Sequence, residues 1–561
     1  MKKPRRLARF RVLLLCAWVV PCFAREPVRA SKGMVVTTEP HATEVGVAVL
    51  EAGGNAIDAA VGVGFALAVT HPSAGNLGGG GFLLARFADG RTTFLDFRER
   101  APQKASRKMF LDAGGKPTSA SRIGYLAAGV PGTVKGLEYA HRKYGKREWS
   151  ELLRPSILLA TQGFRVPERL ARSLLEARER LELFPESRRI FLKDGDYYEP
   201  GDRLVQADLA RTLERIRTQG AEDFYNGETA MRLAADMGAN GGLITRADLR
   251  AYTVAERKPL TGAYRDYSII TAPLPSSGGV GILQMLGVLE GTDLAKMGAT
   301  SVDSMHLRAE AMRRFFADRS EHLGDPDFVR NPVSALLNPK YIAALRGSID
   351  PERATPSSAI RPGKFGTRES TETTHYSIVD AEGNIAAVTY TLNGGYGSGA
   401  TASGLGFLLN NEMDDFTVKP GEPNLFGLVQ GEKNAVQPGK RPLSSMTPTI
   451  VMRDGKPHLV LGSPGGPTII NTVLNVMLNV LDFGMNVQDA VDAPRIHHQW
   501  LPDELRVERA LPRDVTEGLK ARGHTLTYVE SIGRVAAIAV GPGGLQGAAD
   551  DTRSDGLAKG H

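Results

Sequence analysis

The pattern of the 561-residue chain changes between Ser348 and Ser370, and this change most constrains the fold. Before it, from Gly132 to about Leu323, helical periodicity dominates, whereas short alternating segments after it indicate strands. The stretch itself is rich in Pro, Ser, Gly and charge, which is typical of an exposed, mobile connector. Because helices and strands occur on both sides, we expect an α/β chain of layered sheets flanked by helices.

Periodicity before the connector predicts two helices and a hairpin near the N-terminal end. The first helix covers Glu44 to Ala52, and Asn55 caps a second from Ala56 to Thr70. The hairpin joins Phe82–Phe87 to Thr92–Phe97. Further helices are rich in charge, so we expect them to cover the outside of the molecule. They are Thr133–Tyr144, Leu170–Arg180, Leu209–Thr218 and Met305–Asp318.

Beyond the connector the sequence predicts two more hairpins and one buried helix. Tyr376–Asp380 pairs with Ile385–Leu392, and Ile450–Arg453 pairs with His458–Gly462. The segment Thr468–Phe483 is strongly apolar, and we expect a helix inside the core.

The first 24 residues have the pattern of a secretory signal. A head with six Lys and Arg precedes the apolar stretch Val12–Ala24, which is too short to span a bilayer. We expect cleavage after Ala24 and export to the periplasm or the medium, without a stable membrane anchor. An uncleaved anchor is the alternative.

The same segment accounts for the basic composition and for the cysteines. Residues 1–24 hold six of the 69 Lys and Arg and none of the 62 Asp and Glu, so the formal charge falls from +7 to +1 without them. A nucleic-acid partner is therefore not indicated. Both cysteines, Cys16 and Cys22, also lie there, which leaves no thiol for catalysis after cleavage.

No metal or cofactor motif is present in the sequence. It has no nucleophile elbow, zinc-protease helix, phosphate-binding P-loop or EF-hand loop. The glycine-rich run Asn76–Gly81 favours a structural or substrate-backing loop over an anion cradle. His497 and His498 lack acidic or cysteine neighbours at ligand spacing, which favours structural roles. We predict no metal and no cofactor.

Thr373 stands where the connector meets the first alternating strand. A threonine hydroxyl is a weak nucleophile without an adjoining base. If the chain were cut before Thr373, its own α-amine would supply that base, with a pKa near 7.7–8.0. A threonine at the start of a strand is common, so spacing alone does not select this residue.

Ten ordered blocks of the sequence resemble the γ-glutamyltranspeptidase family of N-terminal-nucleophile hydrolases, and together they cover essentially the whole chain after the signal. The blocks before the connector are Gly53–Ala59, Gly78–Phe82, Leu95–Glu99 and Gly129–Thr133. Those after it are Thr373–Asp380, Thr389–Asn393, Asn410–Phe416, Lys440–Met446, Gly462–Gly466 and Ala493–Gln499.

The resemblance implies an αββα sandwich assembled from one self-cleaved precursor. Cleavage between Glu372 and Thr373 would give a large subunit, 25–372, and a small subunit, 373–561, that form a heterodimer. Thr373 would then take the γ-glutamyl group from glutathione or a related donor. Water, or the amine of an amino acid or dipeptide, would receive it.

The resemblance also assigns roles to individual residues. Thr391 would orient the nucleophile, and the backbone N–H groups of Gly465 and Gly466 would form the oxyanion hole. The remaining matches would bind the two charges of the donor: Arg98, Ser444 and Ser445 its α-carboxylate, and Asn393, Glu412 and Asp415 its α-ammonium.

Phe426 occupies the lid position where the family often has tyrosine, so we expect a wall without a gating hydroxyl.

Two other functions remain open. One is an acylase of the same superfamily acting on glutaryl-like amides, although Glu412 and Asp415 would then lack an ammonium partner. The other is an exported binding protein without activity, against which the intact Thr373, Thr391 and glycine pair argue.

Overall fold

The computed structural model describes residues 25–360, 373–419 and 431–561. The predicted signal segment 1–24, Glu372 before the predicted cleavage bond and Phe426 of the predicted lid lie outside the described residues. Among the helices of the described ranges, none has the length and apolar character required to cross a membrane.

Two large antiparallel sheets form the centre of the molecule. In chain order the strands are β1 (Val28–Ala30), β2 (Met34–Thr37), β3 (Gly80–Arg86), β4 (Thr92–Asp96), β5 (Phe164–Arg165), β6 (Arg203–Leu204), β7 (Ala255–Arg257), β8 (Leu260–Tyr264), β9 (Tyr267–Thr271), β10 (Thr374–Val379), β11 (Ile385–Thr391), β12 (Thr449–Arg453), β13 (Lys456–Gly462), β14 (Ile496–His498), β15 (Leu505–Glu508), β16 (Leu526–Val529), β17 (Ala536–Gly541), β18 (Gly544–Ala549) and β19 (Leu557–Gly560).

The first sheet has the strand order β1-β18-β17-β13-β12-β9-β8, and the second has the order β19-β2-β10-β11-β3-β4-β7. Strand β10 of the second sheet packs on β13 and β17 of the first. Two smaller sheets, β14-β15-β16 and β5-β6, lie outside this pair.

Helices cover both outer faces of the sheet pair. They are α1 (Pro40–Glu51), α2 (Ala56–Thr70), α3 (Thr133–Tyr144), α4 (Trp149–Gln162), α5 (Glu168–Glu176), α6 (Arg178–Leu181), α7 (Pro185–Phe191), α8 (Ala207–Gln219), α9 (Ala221–Tyr225), α10 (Glu228–Ala239), α11 (Arg246–Ala251), α12 (Gly278–Leu289), α13 (Leu294–Met297), α14 (Val302–His322), α15 (Val333–Leu336), α16 (Pro339–Gly347), α17 (Thr468–Leu481), α18 (Val487–Asp492) and α19 (Arg513–Ala521). Helices α1, α2 and α3 pack on the second sheet, and α12 and α17 on the first. The predicted αββα sandwich is confirmed.

Local chemistry explains why the strongest predictions hold. The Asn55 side chain accepts the N–H groups of Ile57 and Asp58 at 3.0 Å and so begins α2 at the predicted residue. Every residue of α2 is buried, because this helix lies between α1, α3 and the second sheet. The three predicted hairpins appear as β3–β4, β10–β11 and β12–β13.

The expectation that charged helices cover the outside is wrong for the one predicted at Met305–Asp318. In α14 the charged side chains of Glu310, Arg313 and Arg314 are buried. Glu310 Oε1 accepts a hydrogen bond from Arg313 Nη1 at 2.9 Å, and Glu310 Oε2 accepts one from Arg314 Nη1 at 2.5 Å. Buried charges persist when they are paired in this way, so their density did not mark an outer face.

The predicted connector also differs from expectation in the part that the structure describes. Ala354, Ser357 and Ile360 are buried, and the Thr355 N–H donates to Glu310 Oε1 at 3.1 Å. Residues 348–360 are therefore attached to the fold at these positions, while eight of the thirteen are exposed as predicted. Residues 361–370 lie outside the described ranges.

Candidate active site

Thr373 and Thr391 lie side by side at one end of the second sheet. Thr373 immediately precedes β10, and Thr391 ends β11. Because the two strands pair antiparallel, with Thr374 opposite Tyr390, the two threonines are neighbours. Thr373 Oγ1 donates to Thr391 Oγ1 over 3.4 Å, and Thr391 Oγ1 accepts the N–H of Asn393 at 2.8 Å. The pair thus positions the hydroxyl of Thr373, a residue that is 3% exposed.

The glycine-rich run that precedes β3 packs behind Thr391. Asn76 Nδ2 donates to the Thr391 carbonyl at 2.9 Å, and Asn76 Oδ1 accepts the Gly79 N–H at 3.0 Å. A Cβ on Gly79 would lie 2.0 Å from the Thr391 carbonyl oxygen, so a larger residue cannot approach in this way. The run Asn76–Gly81 is a structural support for the threonine pair.

Arg98, which follows β4, forms the charged centre of the site. Its Nη1 lies 2.5 Å from Glu412 Oε1, and its Nη2 lies 2.5 Å from Asp415 Oδ2. Glu412 and Asp415 are the ends of one 3₁₀ turn, which brings both carboxylates to the same guanidinium. All three side chains are buried. In the ligand-free site these charges are therefore paired with one another.

The polar residues around this centre are fixed by the backbone. Asn393 has a φ of +74° and donates from Nδ2 to the Asn411 carbonyl at 2.9 Å. The Ser444 N–H donates to the Pro275 carbonyl at 2.8 Å, and its hydroxyl accepts the Met446 N–H at 3.1 Å. Arg319 Nη2 donates to Ser445 Oγ at 3.4 Å.

Gly465 and Gly466 form a turn between β13 and the N-terminus of α17. Their φ values are +129° and +56°, a region that favours glycine. The N–H groups of Thr468 and Ile469 donate to the carbonyls of Gly465 and Gly466. The N–H groups of the two glycines themselves make no hydrogen bond within the described ranges. Two donors are thus available beside the threonine pair.

Nearly all the predicted site residues that the structure describes line one small cavity, the threonine pocket. Its walls are Arg98, Thr373, Thr391, Asn393, Glu412, Asp415, Ser444, Ser445, Met446, Gly466 and Ile469. The space inside is about 10 Å³, enough for one water molecule, so a larger ligand has to displace part of the wall. Gly465 lines the adjoining cavity instead.

Sequence reasoning gave no role to Glu99, which lies directly behind this pocket. Its carboxylate is fully buried and 3.9 Å from Arg98 Nη1. Burial raises the pKa of Glu99 to about 7, and burial raises the pKa of Glu412 well above its ordinary value. Three acidic groups thus surround one arginine, and protonation relieves their repulsion. Glu99 stands next to Arg98 in a block already singled out, but only the fold shows its contact with Glu412.

His497 and His498 have structural partners. His497 Nδ1 accepts from Asn471 Nδ2 at 2.7 Å, and His498 Nε2 accepts from Arg313 Nη2 at 2.9 Å. His306, Glu310 and His524 lie close enough together to suggest a metal site, but Glu310 is already paired with two arginines. That pairing favours a structural cluster.

Two stacked antiparallel sheets between helical layers, with a threonine at the start of a central strand, define the class of N-terminal-nucleophile hydrolases. A family model described as Gamma-glutamyltranspeptidase matches residues 42–560, and the chain belongs to this family of enzymes.

Three known proteins show how far the similarity extends. The chain is 52% identical over 538 residues to the glutathione hydrolase proenzyme of Escherichia coli, covering 95% of this chain and 93% of that protein. The cephalosporin acylase structure from Bacillus halodurans matches with a TM-score of 0.87 and 27% identity, covering 98% and 99% of the two chains. The Helicobacter pylori gamma-glutamyltranspeptidase structure matches with a TM-score of 0.59 and 49% identity, covering 60% of this chain and 97% of that one.

Proposed function

We propose that this enzyme removes the γ-glutamyl group from glutathione and related amides and passes it to water or to the amine of an amino acid or dipeptide. One observation carries the proposal. A threonine hydroxyl, two glycine N–H groups that lack partners within the described ranges, and the paired charges of Arg98, Glu412 and Asp415 meet around one pocket and the adjoining turn.

Thr373 is the proposed nucleophile. After cleavage before this residue, its α-amine takes the Oγ1 proton as Oγ1 attacks the γ-carbonyl carbon of the donor. The N–H groups of Gly465 and Gly466 donate to the resulting oxyanion. The α-ammonium then returns the proton to the leaving amine, which departs as the C–N bond breaks. Water or an acceptor amine attacks the γ-glutamyl ester and regenerates the Thr373 hydroxyl.

The charges of the pocket fit the α-amino-acid end of the donor. Arg98, with Ser444 and Ser445, binds its carboxylate, while Glu412, Asp415 and Asn393 receive its ammonium group. In the ligand-free pocket Arg98 contacts both Glu412 and Asp415, and a donor that carries both charges can replace these contacts by giving Arg98 a carboxylate and the acids an ammonium group.

A glutaryl-type acylase activity is the second candidate, and the similarity to the cephalosporin acylase structure favours it. A glutaryl group brings a carboxylate but no ammonium. It would therefore draw Arg98 from Glu412 and Asp415 and supply no replacement cation. We expect γ-glutamyl amides to be cleaved much faster than the matching glutaryl amides.

We also propose that the precursor is exported, loses residues 1–24 and is cut between Glu372 and Thr373. The products, 25–372 and 373–561, would stay together as a heterodimer. In support, the β10–β11 hairpin of the second fragment pairs on both sides with strands of the first, β2 and β3. Relatives such as that of Escherichia coli are called proenzymes.

A denaturing gel with N-terminal sequencing tests the proposal. Wild-type protein should give two fragments, one beginning at Thr373, and should release glutamate from glutathione. Thr373→Ala should remain one chain with turnover reduced by at least about a thousandfold, because no other residue supplies the nucleophile. Thr93→Ala, which changes a buried threonine of β4 outside the pocket, should be cut normally. An intact wild-type chain would overturn the proposed mechanism.

A further inference from the structure

A second cavity adjoins the threonine pocket across the Gly465–Gly466 turn. Gly466 lines the threonine pocket, whereas Gly465, with Pro464 and Thr468, lines this second space of about 210 Å³. We call it the arginine cavity, because Arg506 and Arg534 are the charged residues of its wall and no carboxylate lines it. It could hold a group far larger than the threonine pocket can.

The two arginines differ in their partners. Arg506 Nε donates to Glu504 Oε1 at 2.8 Å, and Glu504 also accepts from Thr527. The Arg534 guanidinium has no hydrogen bond or ion pair within the residues that the structure describes, although its backbone N–H donates to Ser463 Oγ at 2.9 Å. This backbone hydrogen bond attaches Arg534 to Ser463, which lies two residues before Gly465, and leaves the guanidinium unpaired.

Glu39 and Asp555, two carboxylates near Arg534, are bound to other residues, although the charge of Arg534 also acts on Asp555. The side chain also borders a neighbouring cavity that contains Glu39 and Asp555. Glu39 caps α1 and accepts from the His41 and Ala42 N–H groups and from Thr70 Oγ1. Asp555 pairs with Arg169 at 3.3 Å. Arg534 is therefore the cation of this region that remains available for an external anion.

The chemistry of the reaction indicates which anion this is. The γ-glutamyl chain occupies the threonine pocket, and its carbonyl oxygen faces the glycine N–H groups. Because the γ-glutamyl chain fills the threonine pocket, the leaving amine and the acceptor amine that replaces it must lie outside this pocket, and the arginine cavity is the space across the turn. Amino acids and dipeptides carry a carboxylate beyond the amine, and a guanidinium binds a carboxylate through two parallel hydrogen bonds.

We propose that Arg534 binds the carboxylate of the acceptor amino acid or dipeptide, and of the dipeptide that leaves glutathione; this assignment rests on the proposed function. The arginine cavity is then the acceptor site, and it selects acceptors by charge. An acceptor amide, which has the same shape without the negative charge, loses this contact.

The test compares glycylglycine with glycylglycinamide as acceptors for a γ-glutamyl anilide, whose leaving group has no carboxylate. Wild type should prefer the acid, and in Arg534→Gln the ratio of kcat/KM for acid over amide should fall about tenfold. Hydrolysis of glutathione should fall more than hydrolysis of the anilide. Arg534→Lys keeps the charge without the planar fork and should give an intermediate ratio.

Arg509→Gln is the matched control, since Arg509 pairs with exposed Glu530 and does not line the cavity. It should retain the wild-type ratio. An unchanged ratio in Arg534→Gln, or an equal loss with both acceptors, would overturn the assignment. Calorimetry with glycylglycine requires no turnover and separates the two proposals. If the protein cleaved no γ-glutamyl amide but bound glycylglycine through Arg534, the proposed function would be refuted and the carboxylate site would stand. If Arg534→Gln bound glycylglycine as tightly as wild type does, the carboxylate site would be refuted.

Discussion

The threonine pocket and the arginine cavity lie on the two sides of one glycine turn, and they differ in whether their charged side chains are paired. In the threonine pocket Arg98 is paired with Glu412 and Asp415, and the remaining space is about 10 Å³. The arginine cavity is about 210 Å³ and is lined by Arg534, whose guanidinium has no hydrogen bond or ion pair within the described ranges. A tight, internally balanced pocket admits only a ligand that replaces both charges, whereas the larger one accepts many shapes that share a carboxylate.

Removal of Arg98 should produce the largest loss on the threonine-pocket side. Arg98→Ala removes the proposed charge-assisted contact to the donor and leaves Glu412 and Asp415 without their cation, so kcat/KM for glutathione should fall on the order of 10²-fold or more. The loss should be the same for every acceptor. Steady-state release of glutamate measures it, after a gel has shown that the variant is cleaved.

Arg100→Ala serves as the control, because Arg100 lies two residues further along and contacts Thr253 outside the pocket. It should keep activity within about twofold, because the half-buried Arg100 makes its contacts, to Thr253 and the Tyr252 ring, outside the pocket. If Arg98→Ala also turned over glutathione at nearly the wild-type rate, the assigned carboxylate contact would be wrong.

A substitution in the glycine turn, which lines both the threonine pocket and the arginine cavity, should affect both cavities but reduce activity by less than Arg98→Ala does. In Gly465→Ala the new Cβ would lie 2.4 Å from Thr468 Oγ1 at a φ of +129°, so the turn has to shift. Because the N–H groups remain but move, acylation by a γ-glutamyl anilide should slow about 10- to 100-fold with little change in KM. Single-turnover kinetics measure this rate.

Gly484→Ala provides a matched strain at the other end of α17. Gly484 has a φ of +64°, and a Cβ there would contact nothing within 4 Å. This variant should lose stability by about 1 kcal/mol and acylate normally. An unaltered acylation rate in Gly465→Ala would instead remove the turn from the catalytic site.

Sequence periodicity predicted the elements that build this site, but it did not predict all the contacts between them. The cap at Asn55 and the alternating strands around Thr373 depend on local chemistry, so their bounds were close. The proposal that Thr373 is the nucleophile required the family resemblance. Charge density misplaced α14, because buried ion pairs and exposed charges look alike in a sequence.

Two important residues depend on packing between distant segments. Glu99 lies after β4, whereas Glu412, its neighbour in space, lies beyond β11. Arg534 precedes β17 in a loop without a motif, and only the turn at Gly465 brings it beside the reaction. Neither contact follows from spacing along the chain.

The smallest expected effect concerns the acidic groups behind the threonine pocket. Burial raises the pKa of Glu99 to about 7, whereas the unfolded value is near 4.5. Between these values the folded chain holds more protons than the unfolded chain, so the contribution of Glu99 to stability is lost as the pH rises from about 4.5 to 7. Burial also raises the pKa of Glu412 well above its ordinary value, so Glu412 contributes a loss of stability with rising pH in wild type and in Glu99→Gln alike.

Glu99→Gln cannot ionise and should have a flatter pH profile. The free energy of unfolding of Glu99→Gln minus that of wild type should be about 1–3 kcal/mol larger at pH 8 than at pH 5, so the variant gains relative stability as the pH rises. Urea unfolding at the two values measures the difference, with Glu44→Gln on the exposed face of α1 as the control. Parallel profiles for Glu99→Gln and wild type would mean that Glu99 is ionised throughout, which would place an uncompensated negative charge behind Arg98 and contradict the balanced pocket. A flatter profile would show that protonation keeps the threonine pocket neutral overall, whereas the arginine cavity, with no acid in its wall, must obtain its negative charge from the acceptor.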